Sequence, residues 1–221
     1  MALITLQNVS KIYPPFFKAL ININLQIYKG DFIILTGPTG AGKTTLLKLI
    51  YKEEKPTSGE LFYQNIPYSK LKPKELSFLR QNLGIIFQDY KLFPELTVYE
   101  NIKISLILSK KFFKDAKLLI YEYLERFNIS QKAQKKVKEL SGGEQQKVGI
   151  IRAIIRDPEI LIADEPTGNL DPVSINEILS ILKDFNKEGK TIILATHDPI
   201  ILNQNLGKIV KLNKGELVED V

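Results

Sequence analysis

The stretch Gly37-Pro38-Thr39-Gly40-Ala41-Gly42-Lys43-Thr44 decides how this chain of 221 residues is interpreted, because it matches the phosphate-binding pattern G-x-x-x-x-G-K-[ST] in full. Glycines let the backbone turn so that its N–H groups converge on phosphate oxygens. In this pattern the lysine places a cation against the β- and γ-phosphates, and the hydroxyl of Thr44 can ligate Mg²⁺. The buried-type run Phe32–Leu35 precedes the loop and a helical pattern follows from Thr45, so a helix N-terminus adds positive partial charge.

Two acids follow a second apolar run and indicate whether the bound phosphate compound is also hydrolysed. Ile160–Ala163 is followed directly by Asp164 and Glu165. An aspartate at such a strand end is placed to hold Mg²⁺ through water, and Glu165 is then a candidate base that orients the attacking water. The alternative is that Glu165 only begins a turn before Pro166. A tandem pair of acids in a chain with a phosphate loop favours hydrolysis.

Apolar runs separated by helical stretches predict an α/β fold of the P-loop NTPase class. Continuous apolar runs, typical of strands covered on both faces, occur at Phe32–Leu35, Gly84–Phe87, Ile160–Ala163 and Thr191–Ala195. They predict a mostly parallel sheet with crossover helices. The alternating run Ile21–Ile27 and the short run Leu61–Tyr63 predict an antiparallel edge subdomain, and residues 208–218 predict a C-terminal hairpin.

The middle of the chain has a different pattern. Apolar side chains recur there at helical spacing, namely Phe113, Ala116, Ile120, Tyr123, Leu124 and Phe127. We therefore expect an inserted α-helical subdomain. The whole chain, residues 1–221, is predicted to be one domain, because no linker-like segment divides it. Its nucleotide-binding lobe would comprise residues 1–87 and 159–221, and its helical lobe residues 88–158.

Composition excludes several classes of protein. There is no cysteine, so disulfides and thiolate metal sites are excluded. The formal charge is +6, from 31 basic and 25 acidic residues, but the two signs are interspersed, which favours a solvated surface over a nucleic-acid site. Apolar runs are too short to span a bilayer, and the first residues lack the features of a signal peptide.

A second anion site is predicted around Ser141-Gly142-Gly143-Glu144, which forms the capping box S-x-x-E. Such a box begins a helix and leaves N–H groups at its positive end. Taken alone, it is equally consistent with an ordinary capped helix. The whole run Leu140–Gln146, LSGGEQQ, resembles the signature motif of the ABC ATPase family.

The resemblance to ABC ATPases extends along the chain in family order. It implies that Tyr13 stacks on adenine, that Gln88 senses Mg²⁺ and the partner subunit, and that His197 contacts the γ-phosphate. Asn169-Leu170-Asp171 matches the family's D-loop. The implied ligands are ATP and Mg²⁺. The implied site residues are Glu165 and His197 for catalysis, Thr44, Gln88 and Asp164 for the metal, and Tyr13, Gly37, Pro38, Thr39, Gly40, Ala41, Gly42, Lys43, Thr44, Thr45, Gln88, Ser141, Gly142, Gly143 and Glu144 for the nucleotide.

The family resemblance also implies an assembly. In a head-to-tail homodimer, Ser141–Gly143 of one subunit close over the ATP held by Gly37–Thr44 of the other. The signature helix departs slightly from the family pattern: Lys147 replaces the usual arginine, and Gly149 and Ile151 stand where alanines are common. A glycine inside a helix costs about 1 kcal/mol relative to alanine, which loosens the helix but leaves the site.

Within the ABC ATPases, three segments look like the FtsE family of cell division: residues 51–59, Gly84–Pro94 and Thr97–Asn101, with Asp89 the most useful discriminator. This implies an integral membrane partner of the FtsX type, docked near Gln88–Pro94 with Tyr90 and Phe93 as candidate contacts. It also implies a place on the cytoplasmic face of the inner membrane and a signal that activates peptidoglycan hydrolases. Tyr90 and Phe93 could instead pack in the protein's own core.

Several alternatives stay open at this point. A lipoprotein-release or macrolide-efflux transporter would use the same ATPase mechanism. A nucleic-acid-associated ABC ATPase fits less well, because the chain has no long coiled-coil insertion and no second cassette. A clamp without turnover is disfavoured by Glu165 and His197. The basic runs Lys110–Lys114 and Lys132–Lys138 could face anionic lipid, although solvated helix faces are the simpler interpretation.

Overall fold

The computed structural model describes residues 2–109, 115–168 and 170–218, and the described chain forms two sheets and seven α-helices. The strands are β1 (Ala2–Tyr13), β2 (Phe17–Tyr28), β3 (Phe32–Thr36), β4 (Ser58–Tyr63), β5 (Ile66–Pro67), β6 (Leu83–Ile86), β7 (Ile160–Asp164), β8 (Thr191–Ala195), β9 (Lys208–Asn213) and β10 (Glu216–Val218). The helices are α1 (Lys43–Ile50), α2 (Pro73–Gln81), α3 (Val98–Leu108), α4 (Ala116–Arg126), α5 (Gly142–Ile154), α6 (Pro172–Lys187) and α7 (Pro199–Leu202).

The larger sheet leads into the phosphate loop after β3, and its strand β7 ends at Asp164. Its order is β10-β9-β3-β8-β7-β6, and every pair is parallel except β10 with β9, which form the predicted C-terminal hairpin. Successive residues of its central strands enter opposite cores: in β3, Phe32 and Ile34 face one core and Ile33 and Leu35 the other. Both faces are therefore covered, which explains the continuous apolar runs and confirms the predicted parallel sheet.

The smaller sheet is antiparallel, with order β2-β1-β4-β5. Ile23, Leu25 and Ile27 alternate along β2 and enter a buried core that also contains Leu46 and Leu47 of α1. Helix α1, which carries the phosphate loop at its N-terminus, thus packs in the same core as both sheets. This confirms the antiparallel subdomain expected from the sequence.

Helices α3, α4 and α5 form the helical region. Ile120 and Leu124 of α4 are fully buried, as their spacing predicts, whereas Phe113 lies outside the described residues. These side chains share one apolar core with Leu161 of β7 and Ile192 of β8. The helical region is therefore packed continuously against the larger sheet. No helix in the described ranges combines the length and apolarity that a membrane crossing needs.

One predicted strand is displaced by one residue. We expected Gly84–Phe87, whereas β6 is Leu83–Ile86, in register with β7 through Leu83 opposite Ile160. Phe87 instead leaves the sheet and packs edge-on against Tyr51, with ring centroids 6.5 Å apart. An aromatic contact at the strand end, which no local pattern reveals, takes Phe87 out of the sheet.

Candidate active site

The phosphate loop can be built only with glycine at two of its positions. Gly37 has φ 146° and Gly42 has φ 107°. A Cβ atom would lie 2.1 Å from the carbonyl oxygen of Leu212 at the first position and 2.5 Å from that of Ala19 at the second. The loop is therefore held tightly between β9 and β2, and α1 begins directly after it, with Gly42 as its N-cap. Residues of the loop and of the first turn of α1 line the same space.

That space is a cavity of about 260 Å³, and it brings together residues from distant parts of the sequence. Its lining includes Thr39–Thr45 of the loop, together with Gln88, Glu165 and His197. All of these were predicted as site residues, so the structure places the phosphate loop, the strand-end glutamine, the candidate base and the histidine around one volume. Phe17 and Ala19 of β2 complete the lining.

Three predicted side chains meet at one carboxylate oxygen. Oε1 of Glu165 lies 2.8 Å from Nδ1 of His197 and 3.6 Å from Nζ of Lys43. Lys43 also donates a hydrogen bond of 2.8 Å to the carbonyl of Gly37, so its ammonium group is folded back towards the loop. The Glu165 side chain is only 14% exposed, so these contacts act in a partly desolvated environment where charge interactions are stronger than in water.

Asp164 lies at the end of β7, next to the cavity. Burial raises the pKa of its carboxyl above the usual value, and a hydrogen bond from the Thr44 side chain opposes that shift. Its Oδ1 atom is buried and has no hydrogen-bond partner among the described residues. A desolvated carboxylate oxygen beside a hydroxyl fits a hard cation, since Mg²⁺ prefers oxygen ligands. The residues present therefore suit the metal that the sequence implied.

The signature helix begins as predicted. Ser141 is the N-cap of α5, its Oγ accepts from the Glu144 N–H at 3.4 Å, and its own N–H donates to Glu144 Oε2 at 3.0 Å. Ser141 and Gly142 are exposed. In the described part of the chain, none of Ser141–Glu144 lines the phosphate-loop cavity. Within one subunit, the two predicted anion sites are thus separate.

Tyr13, the predicted adenine contact, lies beside the cavity's Phe17 but is not among the described residues that line the cavity. Tyr13 ends β1, where it pairs in register with Phe17 of β2, and the ammonium group of Lys11 lies 4.9 Å from its ring centroid. Phe17, rather than Tyr13, lines the cavity. Sequence reasoning missed Phe17, since an aromatic residue at a hairpin has no motif of its own. Stacking of adenine on Tyr13 stays a prediction.

The predicted D-loop is described only in part, because Asn169 lies outside the described residues. The Asp171 carboxylate caps α6 by accepting from the N–H groups of Val173 at 3.0 Å and Ser174 at 3.1 Å. Leu170 lies beside the signature helix, since a Cβ atom built on Gly143 would be 3.6 Å from its side chain. The D-loop region and the signature are thus neighbours in one subunit.

A separate groove of about 580 Å³ opens between the sheet edge and the helical region. Phe87, Phe93 and Leu108 supply apolar lining, and Phe93 remains 51% exposed. Phe93 is therefore accessible from solvent, and its contact with a membrane partner stays a prediction. Tyr90 is not part of the lining; its hydroxyl would be 3.3 Å from a Cβ atom on Gly142, so it lies against the start of α5.

Comparison with known proteins agrees with this geometry. Residues 20–168 match the family model described as ABC transporter. The "Cell division ATP-binding protein FtsE" of Bacillus subtilis (strain 168) is 40% identical over 218 residues, covering 99% of this chain and 96% of the relative. The protein of the same name from Escherichia coli (strain K12) is 39% identical over 215 residues, with 97% of each covered. A solved ATP-binding cassette, dimeric and bound to ADP and phosphate after hydrolysis, is 36% identical, with a TM-score of 0.89 over 98% of this chain and 97% of that one.

The chain therefore belongs to the ABC transporter family of ATPases. Within that family it is an FtsE-like ABC ATPase, which binds and hydrolyses ATP.

Proposed function

We propose that this ATPase works in cell division as the ATP-hydrolysing subunit of an FtsE–FtsX-like membrane complex, and that its ATP cycle activates peptidoglycan hydrolases. The observation that carries the proposal is the near full-length identity of 40% to a relative named for cell division. An FtsX-type partner and a place on the cytoplasmic face of the inner membrane follow from the same resemblance. Nucleic acid is not expected as a partner.

The arrangement of side chains around the cavity supports the following proposed roles in hydrolysis. The loop N–H groups and Lys43 hold the β- and γ-phosphates. Glu165 accepts a proton from the attacking water. His197 is hydrogen-bonded to the Glu165 carboxylate and orients that carboxylate towards the γ-phosphate. Thr44, Asp164 and Gln88 are the residues that would hold Mg²⁺. When bound, the ion neutralises charge that develops on the phosphate oxygens.

We propose that two subunits complete each site. Ser141–Gly143 lie outside the phosphate cavity of their own chain, and Ser141 and Gly142 are exposed. The Ser141 N–H donates to Glu144, so the N–H groups of Gly142 and Gly143 are the proposed anion donors. A head-to-tail partner would bring them onto the γ-phosphate, where a helix N-terminus binds anions well. Bound ATP then holds the two subunits together, and ATP hydrolysis lets the subunits separate. The dimeric form of the solved cassette supports this arrangement.

The groove beside Phe93 is the proposed docking site for the membrane partner. Its apolar lining is bordered by Arg80, Lys91 and Arg152, and Glu53 is the one acid in the lining that is described. Arg152 is held by two carbonyl groups, donating to Lys91 at 2.6 Å and to Tyr90 at 2.7 Å. A helix from the partner that enters the groove would thus contact the segment joining Gln88 to the signature helix.

Affinity purification of the tagged protein from its native membranes tests the partner. We expect an FtsX-type membrane protein and septal proteins with the wild type, and their loss with Phe93→Asp, because a carboxylate in the groove is costly to desolvate. Phe16→Asp is the matched control, since Phe16 is 87% exposed and lies outside the groove lining. Recovery of a lipoprotein-release or efflux permease would instead assign the protein to that transporter class.

A further inference from the structure

The signature helix of this protein carries an acid where an anion is to be bound. Glu144 lies in the first turn of α5, three residues after the Ser141 N-cap. Its carboxylate stabilises the helix start, yet it also occupies the positive field that the phosphates of a second subunit need. Unless this negative charge is compensated, it opposes the approach of ATP to Ser141–Gly143.

The compensating cation comes from a different part of the helical region. The ammonium group of Lys132 pairs with Oε1 of Glu144, while Oε2 accepts from the Ser141 N–H at 3.0 Å. This ion pair, helped by the Ser141 backbone, holds the pKa of the Glu144 carboxyl below its usual value despite partial burial. Lys147, on α5 itself, pairs instead with Glu177 at 2.8 Å, so it is committed elsewhere.

Lys132 is held in place by backbone contacts on both sides. It ends a short 3-10 turn, Ser130–Lys132, in which its N–H donates to the Ile129 carbonyl at 3.0 Å, and its own carbonyl accepts from Lys135 at 2.9 Å. Ile129 and Ala133 are buried, at 1% and 3% exposure. The loop that carries the cation is therefore fixed, so pairing with Glu144 requires ordering of the Lys132 side chain but not of its backbone.

The same loop is tied to the helix that borders the groove. The Tyr99 N–H donates to the Ala133 carbonyl at 2.9 Å, and the Val98 N–H to that of Lys135 at 3.0 Å, both in the first turn of α3. The last turn of α3 supplies Leu108 to the groove. A continuous set of contacts thus runs from the groove through α3 and the Lys132 loop to the start of the signature helix.

We propose that Lys132 is a positioning residue for ATP-driven dimer closure: it neutralises Glu144 and fixes the first turn of α5, so that Ser141–Gly143 can bind the phosphates of the ATP held by a second subunit. This rests on the proposed dimer. Lys132 itself does not touch the nucleotide; it acts through Glu144. Its function is therefore tied to the charge of that carboxylate.

The test removes the two charges of the Lys132–Glu144 pair, one at a time and together, in a dimer that cannot hydrolyse ATP. In the full chain with Glu165→Gln, we measure the ATP concentration for half-maximal dimerisation by light scattering. Adding Lys132→Met should raise that concentration about three- to fivefold, the effect of one ion pair near a helix terminus. Adding Glu144→Gln as well should restore it, because glutamine keeps the capping box without the charge. Lys132→Arg should behave like the parent.

The matched control is Lys135→Met, an exposed lysine of the same loop, which should leave the concentration unchanged. A merely structural role for Lys132 predicts that Glu144→Gln fails to rescue, and that result overturns the proposal, as does an unaltered midpoint in Lys132→Met. If the Glu165→Gln parent itself does not dimerise with ATP, the proposed dimer fails, and this inference falls with it. If the Glu165→Gln parent dimerises with ATP but Glu144→Gln does not rescue Lys132→Met, the Lys132 inference fails while the proposed dimer stands.

Discussion

Replacing Glu165 by glutamine is expected to stop turnover while leaving ATP bound. Glutamine keeps the size of the side chain but cannot accept the proton of the attacking water, and loss of a general base costs about 10²- to 10⁴-fold in rate. Lys43 and the loop N–H groups are unchanged, so nucleotide affinity should persist. With the γ-phosphate intact, the two subunits should stay together.

Single-turnover hydrolysis and light scattering with ATP measure the two effects on Glu165→Gln. We expect a stable ATP-bound dimer and almost no released phosphate. Glu122→Gln, at an exposed position of α4, is the control and should hydrolyse ATP at the wild-type rate. Wild-type turnover in Glu165→Gln would remove the assignment of Glu165 as the base.

Replacing Lys43 by alanine is expected to weaken nucleotide binding itself. Charge-assisted hydrogen bonds contribute about 1.5–3 kcal/mol each, so ATP affinity should fall roughly 10- to 100-fold. The phosphates compete with Glu165 for the same ammonium group, which lies 3.6 Å from Oε1. In the wild type, ATP binding should therefore also separate Glu165 from the Lys43 ammonium group. The Lys43→Ala variant lacks this coupling.

Equilibrium titration with a fluorescent ATP analogue measures the loss of affinity in Lys43→Ala. Lys208→Ala, an exposed lysine on β9, serves as a control for a change in net charge alone. Tight binding by Lys43→Ala would show that the phosphates are held elsewhere than in the loop Gly37–Thr44.

Much of the site could be predicted because short sequence motifs specify its residues. The loop Gly37–Thr44 needs glycines at fixed spacing, and the capping box at Ser141 needs only four residues, so both are readable without a fold. Asp164 and Glu165 follow from a strand run that ends in acids. The meeting of Glu165 with His197, 32 residues later in the chain, required the family resemblance, because no local pattern joins them.

Other features depend on tertiary contacts that the sequence does not display. Phe17 enters the cavity only because β1 and β2 form a hairpin beside the loop. The pairing of Lys132 with Glu144 depends on how the 3-10 turn is fixed by α3, and the basic run of the sequence suggested only a solvated face or a lipid contact. Tyr90 was a candidate partner contact, with packing inside the protein as the alternative, and it lies against the start of α5, outside the groove lining.

In the proposed dimer, the ATP site of one subunit is completed by the signature residues Ser141–Gly143 of the other. The absence of cysteine allows a direct test, with Thr39→Cys in one preparation and Ser141→Cys in a second, both carrying Glu165→Gln. Both positions are exposed. After mixing with ATP and a short thiol cross-linker, we predict a cross-linked dimer only in the mixture, and only when ATP is present. Cross-linking within either single preparation, or none in the mixture although ATP is bound, would contradict the head-to-tail site.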